Sequence, residues 1–140
     1  MDEQLRKVRA FNRFFAVQLN LFDRHTLGTE LTLTEGRIIG DIGRHPNWTA
    51  NDIAEHLHVD KSYISRLLQK FEKKKYIIRV AHRDDQRKKC IQLTASGKRL
   101  FDELERLSDD QAAHMMTKLS SEERHLLVEK MNWIQSVLQK

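Results

Sequence analysis

The sequence is poor in residues that cross-link, kink or loosen a chain. Its only cysteine is Cys90, which excludes an internal disulfide framework. One proline and five glycines in 140 residues leave room for long uninterrupted helices. No apolar stretch approaches the roughly 18 residues that span a bilayer. The opening MDEQLRKVRAFNRFF lacks the apolar core of a secretory signal. A cytoplasmic address is the expectation. Catalytic constellations are missing too: there is no Gly-rich phosphate loop, no H-E-x-x-H and no Cys/His pair at ligand spacing. Asp109-Asp110 and Glu122-Glu123 are adjacent acids of the kind that open helices. The seven histidines (25, 45, 56, 58, 82, 114 and 125) include no pair four apart on one helix. Surface histidine is therefore favoured over a metal site. No enzyme activity, cofactor or metal is expected.

Charge is plentiful and unevenly placed. Charged residues make up 32% of the chain and hydrophobic ones 39%, a globular but highly charged composition whose length fits one compact domain. Between Lys61 and Lys89 lie eleven Lys/Arg and three acids, a local charge of +8; against a net +5, the remainder carries −3. One contiguous basic block is the electrostatic footprint of a polyanion binder. A solvated helix face accounts for Lys73-Lys74-Lys75 but less well for a block that continues through a hairpin.

Periodicity assigns the elements. Leu5, Val8, Phe11, Phe15, Leu19 and Phe22 recur at helical spacing over 3–24, and Phe14, Val17 and Leu21 widen the stripe. Thr34 is the expected N-cap of a second helix over 35–44, which ends before Pro46. Thr49 and Asp52 have capping-box spacing at the start of a third helix. His58-Val59-Asp60 reads as a tight turn in which His58 must take a left-handed conformation, and Asp60 as the cap of a fourth helix over 61–75. Two β-branched runs, 76–81 and 90–93, flank a basic stretch and form a two-stranded ribbon. Thr94 caps a fifth helix to about 119, with Leu100, Leu104, Leu107 and Met115 along its spine. A last helix starts at Ser120, with Leu127, Met131, Ile134 and Leu138 spaced four, three and four.

The informative segment is 49–94. Two short helices joined by a tight turn, the second with a polar outer face, are a helix-turn-helix. Steps of 100° put Ile64, Leu67, Leu68 and Phe71 on one side of the fourth helix, and Ser62, Ser65, Arg66, Gln69 and Lys73 on the other. Arg can bracket guanine, Gln can bracket adenine, and Ser suits either in a major groove. Any amphipathic surface helix would share that face. The basic ribbon that follows shifts the balance, because a ribbon after a recognition helix is a wing whose tip arginine can enter a minor groove. The expected fold is mainly α with a small β-hairpin wing: a winged helix-turn-helix with its core over about 34–94.

Asp85-Gln86-Arg87, five residues, and then Leu93-Thr94-Ala95-Ser96-Gly97 resembles the D-x-R-x5-L-T-x-x-G wing signature of the MarR family. Length and helix order match as well, so the resemblance spans essentially the whole chain. It implies a single domain over 1–140 that works as a homodimer, with dimerisation helices at about 3–24 and 100–139. It also implies a transcriptional regulator, of ligand-responsive repressor type, on a pseudo-palindromic operator in double-stranded DNA. The base-reading candidates are Ser62, Tyr63, Ser65, Arg66 and Gln69, with Thr49 and Lys61 favouring phosphates. In the wing the candidates are Arg83, Asp85, Arg87 and Lys88; Asp85 would hold Arg87 in pose. Phe11, Phe15, Leu127, Met131, Ile134 and Leu138 are expected at the dimer interface. A small-molecule effector would lie near Phe15, Leu19, Ile38 and Leu100. Peroxide-sensing members of the family carry their cysteine in the first helix, which has none here; Cys90 reads as a small hydrophobe at the wing base, and a redox role for it is the lesser reading. The alternative function is a winged helix that contacts protein or RNA without operator specificity.

Overall fold

The computed structural model describes residues 2–140 and divides them into two compact units, the first ending at Leu107 and the second comprising residues 108–140. Element order is α1 (Glu3–Gln18), a short 3-10 turn (Thr26–Gly28), α2 (Leu33–Arg44), α3 (Ala50–Leu57), α4 (Lys61–Lys73), β1 (Ile77–Ala81), β2 (Lys89–Leu93), α5 (Ala95–Met115) and α6 (Ser121–Leu138). The winged helix-turn-helix expected from the sequence is present. α5 crosses from the first unit into the second.

In the first unit, Ile38, Ile39 and Ile42 of α2, Ile53 of α3, Ile64, Leu68 and Phe71 of α4, and Ile91 of β2 form a core closed to solvent. Leu67, expected on that stripe, is only half-buried beside it. β1 and β2 pair antiparallel in a register that sets Ile77 against Leu93 and Ala81 against Lys89. The ribbon is tied to the helix-turn-helix from both sides. The Ile91 amide donates to the Trp48 carbonyl at 2.9 Å, and the Cys90 thiol to the Asn47 carbonyl at 3.2 Å. Cys90 is thus a buried small residue at the wing base. On the other side Arg79 Nε donates to Glu72 of α4 at 2.8 Å.

Helix ends correct several boundaries. α1 stops at Gln18 rather than near 24 because Asn20 turns left-handed (φ 55°), and the amides of Asn20 and Leu21 return to the carbonyls of Val17 and Ala16. α4 stops at Lys73 rather than 75 by the same device: Lys75 has φ 62°, and the amides of Lys75 and Tyr76 reach Glu72 and Phe71. His58 closes α3 likewise (φ 54°), as its place in the turn demanded. Three helices therefore end in the left-handed conformation without glycine, in a chain where glycine is scarce. α2 is capped by Thr32, not Thr34, because Glu35 stands three residues after Thr32 and completes a capping box. α5 ends at Met115 rather than near 119. Asp60 occupies the N-cap position of α4, but its carboxylate takes the Ser62 hydroxyl at 2.6 Å instead of capping a backbone amide. The Thr49–Asp52 box and the Thr94 cap form as expected.

α1 has no buried residue, and Leu5, Val8, Phe11, Phe14 and Val17 are exposed along it. In the second unit α6 likewise has none; Leu126, Val128, Trp133, Ile134 and Leu138 are exposed. There Arg124 Nε donates to the carbonyls of Met116 and Leu119 and closes the corner between α5 and α6. Among the described residues, no helix is long and apolar enough to cross a membrane.

Candidate nucleic-acid interface

Thr49 begins the interface. Its side chain is committed to the α3 cap, accepting the Asp52 amide at 3.3 Å while its hydroxyl donates to the Asp52 carboxylate at 3.1 Å. The carboxylate also takes the Thr49 amide at 2.9 Å. Thr49 is half-buried. α3 and the left-handed His58 that ends it then lead the chain into α4.

On α4, Lys61, Ser62, Arg66 and Gln69 are exposed, and Tyr63 and Ser65 are half-buried. The guanidinium of Arg66 lies over the Tyr63 ring, 5.8 Å from its centroid. Stacking of this kind holds a guanidinium extended without consuming its hydrogen-bond donors. Hydrogen bonding with Ser62 holds the exposed Asp60 carboxyl below its ordinary range, so Asp60 is an anion at the N-terminus of α4. Ser62 can still accept, but its own proton is engaged with Asp60.

The wing loop is built around Asp85. The Lys88 amide donates to the Asp85 carbonyl at 3.0 Å, and the His82 amide to the Lys88 carbonyl at 2.8 Å, which closes the tip. Asp85 Oδ1 accepts the backbone amide of Arg87 at 3.0 Å and its Nε at 3.4 Å. The Arg87 side chain is 93% exposed. It is thus held at the root and projects outward. Arg83 and Lys88 are exposed on either side of the Asp85 turn.

Besides Arg87, two further cations in the basic block are engaged from within the protein, which composition could not reveal. Arg79 is spent on Glu72, and Lys70 on Glu35 at 2.7 Å. Their acid partners lie seven and thirty-five residues away. The first pair has a weak local signal, opposite charges near a helix–strand junction; the second has none. Sequence reasoning also missed the platform under the wing. His45 stacks on Trp48 at 3.7 Å between centroids, and His56 sits 5.0 Å from Trp48.

The residues expected at an effector site differ in their surroundings. Ile38 is fully buried, and Leu100 packs half-buried against the same core. Phe15 stacks on Phe11 at 5.4 Å, and Leu19 is half-buried at the end of α1. One open cleft runs along Asn51, Ala54, Glu55, His58, Val59 and Lys61, and another along Ile42, Gly43, Pro46, Gln92 and Lys98; neither includes any of the four.

Similarity to known proteins converges on this region. The MarR family profile matches residues 31–89, from just before α2 to the first residue of β2. No curated protein sequence matches significantly. Among solved structures, FabT of Streptococcus pneumoniae in complex with DNA has 22% identity and a TM-score of 0.75, over 99% of this chain and 98% of that one. MepR, a transcription regulator of the Staphylococcus aureus multidrug efflux pump MepA, has 27% identity and a TM-score of 0.75, over 92% and 96%. A MepR variant from a multidrug-resistant S. aureus clinical isolate reaches 31% identity at a TM-score of 0.61, over 78% of this chain and 80% of that one. MepR is also known with DNA (27%, TM-score 0.63, 96% and 94% covered) and with ethidium bromide (25%, 0.62, 99% and 97%). Profile, topology and wing signature agree: the chain belongs to the MarR family of winged-helix transcription regulators.

Proposed function

We propose that this chain is a transcriptional regulator that binds double-stranded DNA sequence-specifically as a homodimer. The observation that carries the proposal is the polar face of α4 set beside a wing whose Arg87 is rooted by Asp85 and exposed to solvent. Ser62, Tyr63, Ser65, Arg66 and Gln69 face the major groove in this proposal, Arg87 the adjacent minor groove, and Thr49, Lys61, Arg83 and Lys88 the phosphates. The DNA complex of MepR supports the same use of the fold. The cytoplasm, where such a regulator would meet chromosomal DNA, is the proposed location.

Dimerisation is proposed through both ends of the chain. α1 and α6 carry exposed apolar rows and no buried residue. Most helical stability in proteins comes from packing of an apolar face, so these rows call for a covering surface. Phe11, Phe15, Leu127, Met131, Ile134 and Leu138 are the residues proposed to be covered by the second copy. Two-fold symmetry then calls for a pseudo-palindromic operator with half-sites about one helical turn apart. A ligand-responsive repressor is the preferred mode, supported by the ethidium complex of MepR. Because Ile38 is sealed in the core, an effector near Phe15, Leu19 and Leu100 must open that junction on entry.

Selection of bound fragments from genomic DNA, followed by titration across salt concentrations, tests the proposal. Enrichment of a pseudo-palindrome and a steep fall of affinity with salt are expected. Equal binding to RNA, or enrichment of no sequence, would return the chain to the class of winged-helix interaction modules.

A further inference from the structure

Glu35 is a buried carboxylate that joins two helices. It is 4% exposed and stands in the first turn of α2. Its Oε1 accepts the Thr32 amide at 3.0 Å, and the Thr32 hydroxyl accepts the Glu35 amide at 3.2 Å. Its Oε2 accepts Nζ of Lys70 at 2.7 Å. Lys70 lies on α4, immediately after Gln69 and one turn beyond Arg66. One carboxylate therefore ties the N-terminus of α2 to the C-terminal half of the helix that presents the base-reading candidates.

Helix capping does not require that lysine. Thr49–Asp52 and Ser120–Glu123 form the same reciprocal box, and neither acid has a Lys or Arg ion pair among the described residues. A buried carboxylate is costly unless both its oxygens are satisfied, and both are. Burial pushes the Glu35 carboxyl up, yet the Lys70 and Thr32 hydrogen bonds outweigh it and hold the pKa below the ordinary value. Glu35 is thus an anion at neutral pH, rooted in the fold. Lys70 is half-exposed and could otherwise swing toward solvent. With one end rooted, the pair acts as a strut with a defined length.

We propose that Glu35 is a positioning residue for base recognition: through Lys70 it sets the orientation of α4 against α2, and so where Ser65, Arg66 and Gln69 meet base edges. The proposal rests on the reading of α4 as the recognition helix. Its consequence concerns specificity. A strut that aims side chains alters the ratio of operator to non-operator affinity, whereas a phosphate contact alters both equally.

The test compares full-length wild type with Glu35→Gln, Lys70→Met and Lys70→Arg. The probes are a duplex enriched by selection on the wild type and a shuffled duplex of the same length, each titrated over several salt concentrations. Glutamine still accepts the Thr32 amide but loses the ion pair, and methionine leaves the cap intact. The expected result is that Glu35→Gln and Lys70→Met each lower the operator-to-shuffled ratio about tenfold, with shuffled-duplex affinity and salt slope unchanged. Lys70→Arg, which keeps the pair, restores the ratio. If Glu35→Gln fails to fold by circular dichroism, Lys70→Met and its arginine rescue carry the test alone. Tighter binding of Glu35→Gln to both duplexes, or a Lys70→Met loss equal on both with a shallower salt slope, would make Lys70 a phosphate contact and overturn the proposal. A wild-type preference that survives both substitutions overturns this proposal alone; a wild type with no preference overturns the DNA-reading proposal and this one with it.

Discussion

Gly97 lies so close against the carbonyl oxygen of Tyr76 that a Cβ there would overlap it. The approach explains the second half of the wing signature. Leu93 pairs with Ile77 across the ribbon. Thr94 Oγ1 donates to the Lys75 carbonyl at 2.6 Å and accepts the Gly97 amide at 3.1 Å. The chain leaving the wing is thereby clasped to the chain entering it, and α5 starts against that clasp. Gly97→Ala should cost on the order of 1–3 kcal/mol, since backbone rather than a flexible side chain must move. Denaturant unfolding checks it; a loss under about 0.5 kcal/mol would mean the junction yields freely.

The wing mechanism makes a prediction with a counterintuitive sign. Asp85→Ala makes the protein more positive, so a wing acting as a diffuse field would bind DNA more tightly. With Asp85 as the anchor of Arg87, the substitution instead weakens operator binding, because the arginine loses its preorganised pose. Arg87→Ala should weaken binding far more than Lys88→Ala. The exposed Asp85–Arg87 pair itself adds little to folding stability. Fluorescence anisotropy across salt concentrations distinguishes the outcomes, and a tighter Asp85→Ala complex defeats the mechanism.

Arg66, which lies over Tyr63, is proposed to meet a base edge. Arg66→Ala should cost about 1–3 kcal/mol and relax preference at one base pair. An equal loss on every sequence would reassign it to a phosphate.

Light scattering should report about twice the 16.6 kDa chain mass at micromolar concentration. A charge placed in either apolar row, Phe11→Glu or Ile134→Glu, should drive the protein toward monomers and abolish tight operator binding together. A stable monomer that still binds operator tightly contradicts the proposed assembly.

The lowered pKa of Glu35 gives a pH signature. Its stabilising contribution is present above the ordinary glutamate value, about 4.3, and fades as pH falls through the lowered native value. At neutral pH, Glu35→Gln should be less stable than wild type by on the order of 1–3 kcal/mol. The gap should shrink below about pH 4.3. A gap that stays constant to pH 2 would mean that the charge of Glu35 contributes nothing.

Local chemistry was enough for the helix order, the Thr49 and Thr94 caps, the left-handed His58 and the wing. Each depends on residues within a few positions of one another, where spacing and side-chain type decide geometry. The exposed face of α4 was legible for the same reason, as was the Asp85–Arg87 turn. Boundaries failed where two local solutions competed: Thr32 won over Thr34 because Glu35 completed a box, and Asn20 and Lys75 ended helices that hydrophobic spacing alone would have prolonged. What only the tertiary structure decided was how charge is spent. Lys70 and Arg79 counted toward a basic block in the sequence, yet folding gives them Glu35 and Glu72 as partners. An ion pair requires proximity of side-chain tips, and helix packing, not sequence separation, brings residues 35 and 70 together.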